Sequence, residues 1–199
     1  MKVGVLISGR GTNLKSLIDA CAAPDFPAKI VLVVSNKADA GGLEIARAAG
    51  IGTRVVNHKD FATREEFDRE MTSALKDAGV DFICSAGFMR ILSDEFVNEW
   101  YNRQLNIHPS LLPSFKGLNV YARALEAGCK VSGCTVHFVR AAMDEGPIVA
   151  QAAVPVLEDD TPETLSARIL QAEHKLYPLA LRLVAEGRVR IVNERAIIS

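Results

Sequence analysis

Val3-Gly4-Val5-Leu6-Ile7-Ser8-Gly9-Arg10-Gly11-Thr12-Asn13-Leu14 runs from an apolar stretch through a glycine turn into a helix start. Five consecutive apolar or glycine residues bounded by a turn read as a strand buried on both faces, which is the habit of a parallel sheet. A strand that turns at once into a helix is half of a βαβ unit. The same alternation repeats along the chain. Strands are predicted near Val3–Ser8, Lys29–Ser35, Thr53–Val56, Asp81–Ser85 and Gln104–Ile107. Helices are predicted near Asn13–Ala22, Gly42–Ala49, Thr63–Ala78 and Ser93–Trp100. After Pro113 the pattern changes. A helix near Val120–Ala127 precedes runs at Cys134–Val139 and Ile148–Val156, with a tight Asp144-Glu145-Gly146-Pro147 turn between them. The expected fold is therefore α/β: an open, mostly parallel, Rossmann-like sheet with helices on both faces and an antiparallel C-terminal extension. Residues 1–199 are read as one domain.

The last long helix has a defined start. Thr161 can cap the first amides and Pro162 fits the first helical position. Leu165, Ile169, Ala172, Leu176, Leu179 and Leu183 recur at helical spacing and are expected to face the core, with a kink at Pro178. Glu173 falls on the half-buried flank of that stripe, as a solvated charge or a ligand.

With 49% apolar and 24% charged residues and a formal net charge of −1, the chain has the composition of an ordinary globular protein. It carries no electrostatic footprint for nucleic acid or an anionic membrane. Its four cysteines form no CxxC motif, which suits reduced thiols. Met1-Lys2 leads straight into the first strand, so no signal peptide is expected and the cytoplasm is the expected compartment.

Two stretches carry chemistry. In Ser8–Leu14 the free N–H groups of a helix start, with glycines permitting close approach, form an anion site at Gly11, Thr12 and Asn13. Leu14 occupies the third glycine position of a dinucleotide fingerprint and no acid ends the second strand, so a monophosphate fits better than a dinucleotide. In Leu105-Asn106-Ile107-His108-Pro109 the amide and the imidazole stand on alternate residues of a strand and share a face. Pro109 holds His108 extended at the strand tip, where open α/β sheets bind ligands. Such a donor pair suits developing negative charge on oxygen, although a satisfied junction histidine has the same spacing. Asp144, either a turn-former or His108's carboxylate partner, completes a candidate trio. His137 reads as structural. His108, His137 and Asp144 match no metal-ligand spacing, and no metal is expected.

Asn106-Ile107-His108-Pro109-Ser110-Leu111-Leu112-Pro113 resembles the signature of formyl-tetrahydrofolate-dependent formyltransferases. Ser8–Leu14, Ser35–Asp39, Ala86–Ser93, Thr135–Phe138, Met143–Pro147 and Gln171–Pro178 extend the resemblance over nearly the whole chain, towards the branch acting on glycinamide ribonucleotide in purine biosynthesis. The resemblance implies 10-formyltetrahydrofolate as co-substrate and direct attack by the ribonucleotide amine. It implies Asn106, His108 and Asp144 as catalytic groups. Gly11, Thr12, Asn13 and Glu173 would hold the ribonucleotide. Phe88, Met89, Arg90, Ile91 and Leu92 would line the pterin pocket, with Arg64 near the glutamate tail, although Arg64 also reads as a solvated residue behind a helix cap. The N-terminal part would form the phosphate side and the C-terminal part the folate and catalytic side. Partners would be these small molecules, with the chain a monomer or homodimer. Lys116, Asn119 and Tyr121 depart from residues some relatives carry, and Thr135 stands for a serine. The related formyltetrahydrofolate hydrolases, a tRNA formyltransferase and a non-catalytic nucleotide sensor are the alternatives. An extra N-terminal domain is expected of the first and a C-terminal RNA-binding domain of the second.

Overall fold

The computed structural model describes residues 1–199. Its backbone divides into two compact units, Met1–Leu105 and Asn106–Ser199. No helix is long and apolar enough to cross a membrane.

The first unit holds β1 (Lys2–Ile7), α1 (Thr12–Cys21), β2 (Lys29–Ser35), α2 (Gly42–Ala48), β3 (Gly52–Val55), α3 (Arg64–Asp77), β4 (Phe82–Ser85) and α4 (Asp94–Glu99), and it closes with the first residues of β5 (Gln104–His108). The strands order β3-β2-β1-β4, and β1 pairs in parallel with β2 and β4. Successive strands thus step one way from β1 and then reappear on its other side, which makes the carboxyl ends of β1 and β4 a topological switch point. Helix α3 opens with a capping box between Thr63 and Glu66 and buries Phe67, Met71 and Leu75 at i, i+4 and i+8. These meet Leu6, Leu32, Val34, Ile83, Phe96 and Trp100 in one core.

The second unit holds the end of β5, α5 (Val120–Glu126), β6 (Val131–Phe138), β7 (Ile148–Pro155), α6 (Pro162–Ala185), β8 (Val189–Val192) and β9 (Arg195–Ile198). β6 lies between β5 and β7 and runs antiparallel to β7, the expected C-terminal extension. The fold class is the one the strand–helix alternation predicts.

Two details differ from the sequence reading. Leu179 is 52% exposed, whereas Glu173 is 5% exposed and sits within the buried stripe of α6. At 100° per residue, Glu173 lies about 80° from Leu165, between it and Tyr177 at about 120°, and Leu179 lies about 40° to the other side. The helix turns its Glu173–Tyr177–Ala180 side inward, so the apolar stripe is centred away from Leu179. In addition, β8 and β9 form a hairpin that the sequence reading did not include. Its turn residues Asn193 and Glu194 both have positive φ, as a two-residue hairpin turn requires, without the glycine that usually signals one.

Candidate active site

The carboxyl end of β5 places Asn106 half-buried and His108 buried. Both ring nitrogens of His108 face oxygen. Nε2 lies 2.9 Å from the Phe115 carbonyl and Nδ1 lies 3.4 Å from Asp144 Oδ2. Carbonyl and carboxylate oxygens only accept, so both contacts are satisfied when both nitrogens carry hydrogen. Asp144 enters from a turn in which it adopts φ 55°, and the same Oδ2 accepts from Gly117 N at 2.9 Å. Gly146 has no room for a side chain there, because a Cβ would overlap the Phe138 carbonyl. The turn is therefore drawn tightly against the end of β6, which fixes where Asp144 can reach.

His137, read from sequence as structural, also belongs to this cluster. Its Nδ1 lies 2.8 Å from the Phe138 carbonyl and must donate to it. Burial, the largest influence, holds its pKa below the ordinary value, against the opposing Phe138 bond and Asp144 charge. In that neutral tautomer Nε2 is an acceptor, and Asn106 Nδ2 donates to it across 3.4 Å. The 3.7 Å approach of Nε2 to Asp144 Oδ1 is then a near contact and not an ion pair. His137 thus sets which way the Asn106 amide points. No group of three His, Cys, Asp or Glu side chains is arranged to hold a metal ion.

The segment after β5 is tied down by Thr135, which is fully buried in β6. Its hydroxyl donates to Ser110 O at 2.7 Å and accepts from Leu112 N at 3.0 Å and Gln151 Nε2 at 2.9 Å. A small cavity of about 280 Å³ beside Asp144 is lined by Leu112, Pro113, Lys116, Glu145, Gly146 and Ile148.

In the first unit, Gly11 is the left-handed N-cap of α1, with φ 77°. No side chain caps this helix and no acid stands in its first turn, which leaves its N-terminal dipole uncompensated. Thr12 is half-buried and Asn13 is buried. A Cβ on Gly11 would lie 2.5 Å from Gly42 Cα, so glycine is required here by packing and φ as well. In Phe88–Leu92 the end residues Phe88 and Leu92 pack against the core, while Met89 and Ile91 are 68% and 61% exposed. Arg90 is exposed too. Arg64 is exposed in the first turn of α3, 3.6 Å from Glu65. Glu173 is buried on α6 in the second unit. Its charge adds to burial in pushing the Cys134 thiol up to about 12.

The predicted residues therefore fall into separate groups. Asn106, His108 and Asp144 come together in the second unit, joined by His137. Gly11–Asn13, Arg64 and Phe88–Leu92 all belong to the first unit.

The family described as formyl transferase matches residues 1–181. The chain belongs to the formyl transferase family. It is 47% identical over 195 residues to the phosphoribosylglycinamide formyltransferase of Haemophilus influenzae, covering 98% of this chain and 92% of that one. It is 56% identical over 191 residues to the trifunctional purine biosynthetic protein adenosine-3 of Gallus gallus, covering 96% of this chain. The chain spans about a fifth of the length of that relative, 19%. The crystal structure of glycinamide ribonucleotide transformylase 1 from Symbiobacterium toebii matches with a TM-score of 0.97 at 50% identity, covering 100% of this chain and 93% of that one.

Proposed function

We propose that this formyl transferase moves the formyl group of 10-formyltetrahydrofolate to the amine of glycinamide ribonucleotide, a step of purine biosynthesis. The observation that carries this reading is the cluster at the end of β5, where Asp144 Oδ2 faces His108 Nδ1 at 3.4 Å beside an Asn106 amide oriented by His137.

The ribonucleotide amine attacks the formyl carbon, forming a C–N bond and placing negative charge on the formyl oxygen. Asn106 Nδ2 and His108 stabilise that oxygen as donors. Collapse breaks the bond from carbon to the folate nitrogen, which takes a proton from His108. The amine's surplus proton leaves through water towards Asp144, so the two proton movements balance. Cys21, Cys134, Ser110 and Thr135 are poorly suited to forming a covalent enzyme intermediate. Burial pushes Cys21 up to about 11 and Cys134 up to about 12, which removes their thiolates at neutral pH. The Ser110 and Thr135 hydroxyls are engaged with backbone carbonyls.

The uncapped start of α1 at Gly11, Thr12 and Asn13 would receive the ribonucleotide phosphate, with Glu173 as a further ribonucleotide ligand. Arg90, Ile91 and Leu92 make no backbone hydrogen bond within the protein, which supports a role in meeting the edge of a heterocycle. Phe88 and Leu92 would form the floor beneath them and Arg64 would lie near the glutamate tail. The chemistry needs no metal. The test is a spectrophotometric assay of 10-formyltetrahydrofolate consumption with and without glycinamide ribonucleotide. Consumption that depends on the ribonucleotide supports transfer, and equal formate release without it would make the chain a hydrolase.

A further inference from the structure

The segment between β4 and α4 is held at two points, one on each side of its exposed residues. At its start, Met89 N donates to Ser8 Oγ at 2.8 Å, and Ser8 Oγ in turn donates to Asn36 Oδ1 at 2.6 Å. Ser8 and Asn36 are 5% and 2% exposed, so this chain of bonds is shielded from water. At the far end, Ser93 N donates to Asp68 Oδ2 at 2.6 Å, and Ser93 Oγ accepts from Phe96 N to cap α4. Asp68 and Ser93 are each 2% exposed. Phe88 and Leu92 pack into the core just inside the two pins. The result is a short bridge whose ends are fixed and whose middle, Met89 to Ile91, faces outward.

A buried carboxylate is costly unless it does something that water cannot. Burial raises the Asp68 pKa, against the opposing Ser93 bonds, and its Oδ1 has no partner. An apolar residue would suit the core around it better, so the Ser93 bond is what recommends an acceptor at this position. Ser8 is equally telling by its location. It follows β1 directly and leads into the glycine turn, yet its hydroxyl is directed to Met89 and Asn36 and not to the start of α1.

We infer that Ser8 and Asp68 are positioning residues for the formyl donor, fixing the Met89–Leu92 backbone at which a reduced folate is recognised. This rests on the proposed reading of that segment as the pterin-binding edge. Neither residue touches the folate. Each acts by holding a backbone that would otherwise have to be ordered on binding, so its loss weakens donor affinity while leaving the chemical step intact.

The experiment compares Ser8→Ala and Asp68→Ala with Ser8→Thr and Asp68→Asn, which keep an oxygen at the pinning position. Two readouts are taken: steady-state kinetics in both substrates, and calorimetric binding of tetrahydrofolate under anaerobic conditions. Loss of one net hydrogen bond predicts a rise of about 3- to 10-fold in donor KM and in the tetrahydrofolate Kd for each alanine variant. Ribonucleotide KM and kcat should stay within about twofold, and the Thr and Asn variants should recover most of the affinity. Amide exchange at Met89 should quicken in Ser8→Ala and at Ser93 in Asp68→Ala, and neither should quicken in the Thr and Asn variants. Should Asp68→Ala not fold, Ser8→Ala, which deletes a single hydroxyl, carries the test. If Ser8→Ala raises the ribonucleotide KM as much as the donor KM, Ser8 serves the phosphate turn and the inference falls. If folded alanine variants bind tetrahydrofolate like wild type, it also falls. Absence of tetrahydrofolate binding by wild type would instead overturn the proposed function itself.

Discussion

The imidazole of His137 offers a separable test, because its two nitrogens do different work. Nδ1 satisfies the Phe138 carbonyl and Nε2 accepts from Asn106. Asparagine at this position can supply a donor where Nδ1 stands, whereas glutamine can supply an acceptor where Nε2 stands. His137→Asn should therefore fold and lose the orientation of the Asn106 amide, and His137→Gln should keep that orientation. A neutral hydrogen bond contributes about 0.5–1.5 kcal/mol net, and the 3.4 Å separation places this one at the weak end. At about 1.4 kcal/mol per tenfold, His137→Asn should lower kcat by roughly 2- to 4-fold, with both KM values unchanged. Deleting an oxyanion donor outright costs about 10²–10³, so the effect must stay far below that of Asn106→Ala and vanish in an Asn106→Ala background.

The pH dependence gives the second half of the test. Burial lowers the His137 pKa beneath its ordinary 6.5. A histidine with a depressed folded-state pKa contributes stability that is complete above 6.5 and is lost as pH falls. Once protonated, Nε2 would present N–H to the N–H of Asn106, and the amide would have to turn its oxygen towards the ring. Asp144 and His108 face the same imidazole, so the comparison must be made between variants. The expected result is a kcat profile whose acid limb, below pH 6.5 in wild type, is weakened in His137→Gln. Profiles from pH 5 to 8 with both substrates saturating decide it. A full 10²-fold loss in His137→Asn, or equal losses in the Asn and Gln variants, would refute the orienting role.

Three further outcomes follow from the same geometry. Asn106→Ala and His108→Ala should each reduce kcat by about 10²–10³ with little change in KM, and adding Asp144→Asn to His108→Ala should cost less than the product of the single effects, since the carboxylate works partly through the ring. If the double variant loses the product of the two effects, Asp144 acts independently. A Cβ at Gly9 meets nothing within 4 Å, so Gly9→Val tests the phosphate turn more cleanly than a change at Gly11, where a Cβ would strike Gly42. It should raise the ribonucleotide KM selectively in a protein of unchanged Tm, and an equal rise in donor KM would count against the phosphate assignment. The paired bonds from Arg168 hold the Asp160 carboxyl far below its ordinary 3.8. That stability is complete above 3.8 and lost as pH falls through the lower folded value, so Tm should fall on acidification less steeply for Asp160→Asn than for wild type. Parallel Tm curves would show that the pair contributes nothing.

Features with a local cause were legible in the sequence. The period of two in Asn106-Ile107-His108, stopped by Pro109, placed both side chains on one face at a strand end. The glycine turn placed α1, and Thr161-Pro162 placed the start of α6. What escaped was non-local. His137 looks structural because an apolar strand reports only burial, and its partner Asn106 lies 31 residues earlier in the chain. Nothing periodic encodes which strands are neighbours. The Ser8–Met89 bond spans 81 residues and gives no sequence signal either. Glu173 was misplaced for a different reason. An apolar stripe with leucines on both edges leaves its centre ambiguous by about one residue, which is about 100° of rotation.

The bonding of His108 also bears on how the site distinguishes substrate from transition state. In this structure its Nε2 donates to the Phe115 carbonyl, and Asp144 Oδ2 takes both His108 Nδ1 and Gly117 N. His108 and Asp144 are thus both bonded by the segment that follows β5. On the proposed chemistry, the formyl oxygen must replace Phe115 O as the partner of Nε2. A neutral formyl oxygen and a peptide carbonyl are acceptors of similar strength, so the exchange gains little in the ground state. As the oxygen becomes anionic the new bond becomes charge-assisted and about twice as strong, and the exchange turns favourable. The competing carbonyl therefore suppresses uniform binding and leaves the preference for the transition state, which is the component that raises kcat. A stable tetrahedral oxyanion mimic joining the two substrates should bind at least about 10²-fold more tightly than a planar formamide analogue of the same length. The His108→Ala variant should lose most of that ratio. Equal affinity for the two analogues in wild type would mean that Nε2 stays with Phe115 throughout, and the oxyanion role would pass to Asn106 alone.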